Sequence, residues 1–170
     1  AWQASQVVVV SGVAGAGKSA LVEAFANSQS QVRLLRGDCY ESTTSMPYRP
    51  WIDVIEQFVM LFPDQKWDPP QSYWLNQLAT ISPVLAALSS GEAGVPVRPA
   101  SQQHLFTALA ELLLQTRDLP PLVVFIDDLQ WADETSMQLL QFLAQRLRRA
   151  GNNPIMLVAT FRSEELNDNA

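Results

Sequence analysis

The stretch VVVVSGVAGAGKSALVEAF, Val7 to Phe25, places Gly12, Gly17, Lys18 and Ser19 at the spacing G-x-x-x-x-G-K-[ST], with Gly15 as a further glycine inside the pattern. Residue types at this spacing suit a chain of phosphates. Small residues let successive backbone N–H groups turn inward as a concave nest for an anion, where a Cβ would obstruct, and glycine permits the positive φ values such a loop needs. Lys18, at the start of the next helix, adds a mobile charge to the positive end of the helix dipole and reaches β- and γ-oxygens. Ser19 supplies a hydroxyl to Mg²⁺. The expected nucleotide-binding set is Gly12, Val13, Ala14, Gly15, Ala16, Gly17, Lys18, Ser19 and Ala20, with Lys18 also serving catalysis and Ser19 the metal.

A second constellation lies in PPLVVFIDDLQWADETSMQLLQFLAQRLRRAG, where the apolar run Leu122 to Ile126 ends in Asp127 and Asp128. A strand buried on both faces of a parallel sheet delivers carboxylates to its C-terminal edge in this way, which is a Walker B pattern. Asp127 would hold Mg²⁺ through a water, and Asp128 would orient or deprotonate an attacking water. In PIMLVATFR an apolar run ends in Thr160 and Arg162, placed to sense a γ-phosphate at the same edge.

These groups meet only if several elements carry them to one place. The spacing predicts strands over Gln6 to Ser11, Gln31 to Cys39, Leu122 to Ile126 and Pro154 to Arg162. It predicts a helix from Lys18 with Leu21, Val22 and Phe25 on its apolar face, and one over WIDVIEQFVMLF behind Pro50. A further helix capped by Ser101 carries the stripe Leu105, Leu109, Leu112 and Leu113. Asp133 starts the next, which ends with Arg146, Arg148, Arg149 and Gly151 in keeping with its dipole. Strands alternating with helices give an α/β fold with a parallel sheet and right-handed crossovers.

The chain has 170 residues, 48% hydrophobic and 16% charged, which suits one domain with a sizeable core. A net charge of −6 gives no basic surface for duplex DNA or an anionic membrane. Cys39 is the single cysteine, so no internal disulfide forms and no cysteine metal spacing exists; a reducing cytoplasm is expected. Both ends read as cut, so residues 1–170 are expected to be one domain of a larger protein. Residues of about 64–100, with PDQKWDPP and SSGEAGVPVRP, read as a helical or irregular insertion.

Taken together, GVAGAGKSAL, GDCYESTTSMPYRPWIDVIEQF, DDLQWAD and ATFR resemble the P-loop ATPases of the AAA+/STAND kind, as found in large LuxR-type and related multidomain bacterial transcriptional regulators. The resemblance implies a three-layer P-loop NTPase fold with strand order 5-1-4-3-2, the fifth strand being truncated here, and ATP as the nucleotide. It implies Gly12 to Ser19 on phosphates and Mg²⁺, Asp127 on the metal, Asp128 as the catalytic carboxylate and Arg162 as the arginine that reads the γ-phosphate. Where many such enzymes carry glutamate, this chain has the shorter Asp128, which suggests slow hydrolysis suited to a switch. Nucleotide-dependent self-association, or contact with sensor and output domains, is the expected partnership.

The rival reading is a P-loop small-molecule kinase whose middle segment forms a lid. Such a lid usually carries arginines for phosphates, and the segment from Asp64 to Pro99 offers only Lys66 and Arg98. A scaffold that retains nucleotide without hydrolysing it fits poorly with two adjacent aspartates. Trp131 either organises the acidic loop or fills space beneath it. The basic cluster from Arg146 to Arg149 either serves the helix dipole or offers a finger to a neighbouring subunit. His104 reads as structural, Trp67 and Trp74 as packing of the insertion against the sheet, and Asp38, Cys39 and Glu41 as a strand end close to the phosphates.

Overall fold

The computed structural model describes residues 4–61, 71–89, 101–114, 120–150 and 153–166. Its elements follow in the order β1 (Gln6–Gly12), α1 (Lys18–Ser28), β2 (Arg33–Asp38), α2 (Arg49–Met60), α3 (Gln71–Leu78), α4 (Pro83–Ser89), α5 (Gln102–Leu114), β3 (Leu122–Asp127), α6 (Glu134–Arg149) and β4 (Ile155–Arg162). The helix starts are those that local chemistry demands. Pro50 sits in the first turn of α2, and the Ser101 hydroxyl accepts the His104 N–H at 3.3 Å. Asp133 accepts the Ser136 N–H at 2.9 Å at the start of α6, whose last turn carries Arg146, Arg148 and Arg149.

The four strands are all parallel, in the order β1-β4-β3-β2. This is the 1-4-3-2 part of the order that the resemblance implied; no further strand pairs with β1 among the described residues. Every residue of β3 is buried, as a central parallel strand covered on both faces requires. One face, through Val123, Phe125 and Val158, meets Val22 of α1. The other carries the larger core, where Leu122, Val124 and Ile126 lie with Trp51 and Phe58 of α2, Leu109 and Leu113 of α5, and Leu139 and Leu143 of α6. The buried Trp51 Nε1 donates to the Ser136 carbonyl at 3.1 Å, tying α2 to α6.

Helix α1 differs from expectation on one point. Val22 is buried, but Leu21 is 62% exposed and Phe25 is 37% exposed, because α1 lies against the sheet by a narrower strip than its apolar content suggested. Strand β1, at the sheet edge, likewise exposes Val9.

The insertion expected at about 64–100 contains α3 and α4 where it is described; Lys66, Trp67, Arg98 and its other residues at 64–70 and 90–100 lie outside the described residues, as does Gly151. Helix α3 packs on α5 rather than directly on the sheet, burying Leu75 and Leu78 and half-burying Trp74.

One glycine decides how α2 approaches the sheet. A Cβ on Gly37 of β2 would lie 2.1 Å from the Pro50 carbonyl oxygen, which is backbone and cannot rotate away. Gly37→Ala is therefore expected to destabilise the fold by about 1–3 kcal/mol through overpacking. Denaturant unfolding checks this: a lowered midpoint at unchanged slope is expected, whereas a wild-type midpoint would mean that the start of α2 can retreat at no cost.

Candidate functional site

Parallel pairing brings the C-terminal ends of all four strands to one edge, and the register decides which residues become neighbours there. Gly12, the first glycine of the loop, is paired with Arg162, and Asp38 with Asp127. The loop from Gly12 to Ser19 therefore leaves the sheet beside the end of β4. Gly15 and Gly17 adopt φ of 74° and 80°, and Gly17 is the residue that enters α1. Both need glycine for conformation rather than for room, since a Cβ on either would meet nothing within 4 Å of the protein. At Gly12 a Cβ would meet only ordinary protein contacts, the nearest at 3.7 Å from Ala16.

No side chain caps the start of α1, and its first turn holds no acidic residue. Its free N–H groups and positive dipole end are thus presented with the loop. Val13, Ala14, Ala16 and Ala20 are exposed around it. Lys18 folds back over the loop, its Nζ donating to the carbonyls of Gly12 and Val13 at 3.1 and 3.0 Å.

Asp127, 5% exposed, is the hub. Its Oδ1 accepts the Ser19 hydroxyl at 2.9 Å, the Thr160 hydroxyl and the Asp128 N–H at 3.1 Å. Its Oδ2 accepts Arg36 Nη2 at 2.8 Å. One carboxylate thus joins α1, β2, β3 and β4. Thr160 is fully buried, and its hydroxyl also accepts the Asp128 N–H at 3.0 Å, so its donor and an acceptor site are engaged within the protein. Ser19 and Asp127 together present a hydroxyl and a carboxylate oxygen, a donor set that fits a hard cation such as Mg²⁺ completed by phosphate oxygens and waters.

Asp128 lies just past β3 with φ 53° and ψ 51°, a left-handed conformation that aspartate tolerates better than most residues. Its Oδ1 accepts Gln130 Nε2 at 2.9 Å, and its Oδ2 stands 3.5 Å from Arg162 Nη2. The Gln130 side-chain oxygen in turn accepts the Arg162 N–H at 3.1 Å. Arg162 is thus paired with Asp128. Trp131, in the short 3-10 turn Leu129–Trp131, packs against the larger core and so fills space beneath the acidic loop.

Arg36 and Gln130 escaped the sequence reading. The signal for Arg36 was its spacing from Asp38: residues two apart share a strand face, and the register sets Asp38 beside Asp127. Arg36 meets both acids, and Glu23 of α1 as well, with its guanidinium carbon 5.4 Å from the centre of the Phe125 ring. Burial works against its charge, but Asp38, Asp127 and Glu23 outweigh burial and hold its pKa above the ordinary value.

Among the other titratable groups, Cys39, Asp133 and Arg146 are engaged within the fold. Burial pushes the Cys39 thiol up to about 12, helped by the surrounding aspartates, so it stays protonated at neutral pH. At Asp133 burial opposes ionisation, yet the hydrogen bonds from Ser136 and Thr135 prevail and lower its pKa. His104 is exposed at the start of α5. Arg146 pairs with Glu111 of α5. No helix among the described residues is long and apolar enough to cross a membrane.

A family model, the AAA ATPase domain, matches residues 3–158. That is most of the chain, and the chain belongs to this family. No curated protein matches it closely enough to count as a relative.

Proposed function

We propose that this AAA ATPase domain is a slow, Mg²⁺-dependent ATP switch within a larger cytoplasmic signalling protein, of the kind found in LuxR-type and related multidomain transcriptional regulators. The observation that carries the reading is the pairing of Arg162 with Asp128 beside Gly12. The guanidinium pairs with the acidic loop while the backbone of Arg162 runs beside Gly12, so a γ-phosphate held by the phosphate loop can draw it from Asp128. A ligand shifts a conformational equilibrium only by its differential affinity for the two states.

In this reading the Gly12–Ser19 loop and Lys18 bind the phosphates, while Ser19 and Asp127 hold the metal, which when bound neutralises β- and γ-oxygen charge. Thr160 and Arg36 hold Asp127 in turn. Asp128, once Arg162 turns to the nucleotide, orients the attacking water and accepts its proton. Output passes to sensor and effector domains or to a second copy. The acidic charge of −6 argues that DNA contact belongs to another part of such a protein.

The test is titration with ATP and Mg²⁺, followed by phosphate release with and without small hydroxyl acceptors. Slow release that is indifferent to acceptors is expected; transfer to an acceptor would make the protein a kinase, and tight binding without release an inert scaffold. A sharper check uses Arg162→Ala. It is expected to weaken a non-hydrolysable ATP analogue by about 1–3 kcal/mol and leave ADP nearly unchanged, because a charge-assisted hydrogen bond is lost only with the triphosphate. Equal losses for both nucleotides would remove Arg162 as the discriminating group.

A further inference from the structure

We propose that Arg36 is a positioning residue for the metal-holding carboxylate: it grips Asp127 by Oδ2 so that Oδ1 is presented toward Ser19. This rests on the reading of the site as one for ATP with Mg²⁺. The two oxygens of Asp127 have separate duties. Oδ1 takes the Ser19 hydroxyl at 2.9 Å together with the Thr160 hydroxyl and the Asp128 N–H, and Oδ2 takes only Arg36 among the hydrogen bonds described, at 2.8 Å. Without the guanidinium, rotation about the carboxylate's terminal torsion is restrained from one side alone, and that torsion is broad by nature.

Arg36 is itself held on several sides. Its Nε donates to Asp38 at 2.8 Å, its Nη1 to Glu23 of α1, and its Cζ stands 5.4 Å from the ring centre of Phe125, two residues before Asp127 on the same strand face. A planar fork with donors in fixed directions can serve these partners at once, whereas an ammonium is a point charge. Glu23 lies four residues after Ser19, on the same side of α1, so the helix that carries the metal-binding hydroxyl and the strand that carries the carboxylate are gripped by one side chain. Partners behind a ligating carboxylate characteristically set metal affinity by orienting it.

Orientation and charge predict opposite signs, which makes the proposal decidable. Removing a positive charge close to a divalent cation favours the cation on Coulomb grounds alone. Loss of orientation disfavours it. For Arg36→Gln, the Mg²⁺ concentration that half-maximally enhances binding of a fluorescent, non-hydrolysable ATP analogue is expected to rise about tenfold or more. Affinity for the analogue in EDTA should change less than twofold.

Arg36→Lys keeps the charge and is expected to shift the Mg²⁺ midpoint in the same direction by a smaller factor; it also serves if the glutamine variant does not fold. Glu23→Gln removes one partner of Arg36 without touching Asp127 and should move the midpoint less than threefold. An unchanged or lowered Mg²⁺ midpoint in the Arg36 variants, with the wild-type protein responding to Mg²⁺, would overturn the role of Arg36 and leave the ATP reading intact. A wild-type protein that binds no nucleotide, or binds it equally with and without Mg²⁺, overturns the parent reading and this one with it.

Discussion

Lys18→Ala is expected to weaken ATP by roughly ten- to 150-fold, the equivalent of about 1.5–3 kcal/mol for hydrogen bonds to a charged group, while binding of adenosine stays near wild type. The reason is location. The Lys18 ammonium lies over the loop, bonded to the Gly12 and Val13 carbonyls, beside the uncapped start of α1. In the proposed reading, truncation removes the charge that meets the phosphates and leaves base contacts alone. Both carbonyls belong to a partly exposed loop and regain hydrogen bonds from water, so the melting temperature should hardly change. Calorimetry with ATP and adenosine checks this; equal weakening of both would defeat the phosphate assignment.

The second large effect belongs to Asp128. Asp128→Asn should slow ATP hydrolysis by roughly a hundredfold or more, as expected when the group that orients and deprotonates water is lost, without weakening ATP binding. The amide keeps an oxygen for Gln130 Nε2 but gives up the charge that holds Arg162 at 3.5 Å. Arg162 is then freer to turn to a γ-phosphate, so ATP affinity should stay level or rise slightly. Single-turnover phosphate release separates the two quantities. Hydrolysis at the wild-type rate would transfer the role to another group at this edge, with Gln130 the nearest candidate.

Much of this site is legible along the chain because its parts are local. The glycines at 12, 15 and 17 announce a loop by composition, and the apolar run before Asp127 announces a strand buried on both faces. Each signal sits within a dozen residues. The exposure of Leu21 and Phe25 was not legible in the same way, because an apolar side chain declares a preference for burial without naming a partner. Helix α1 meets the sheet mainly through Val22, and its neighbouring apolar residues are left outside that contact.

By itself the sequence determined the glycine-rich loop, the pair of aspartates, the helix caps at Ser101 and Asp133, and a parallel α/β sheet, all of which are read from residue types, backbone preferences and short-range periodicity. Only the tertiary structure decided what Asp127 touches. Ser19, Arg36 and Thr160 stand 108, 91 and 33 residues from it in sequence and meet at one carboxylate. Strand register made them neighbours: a parallel ladder pairs Asp38 with Asp127 and Gly12 with Arg162, and a slip of one residue would turn each side chain to the opposite face. That register is set by which faces of four separate strands bury together, a property of the assembled sheet that no single stretch of chain contains.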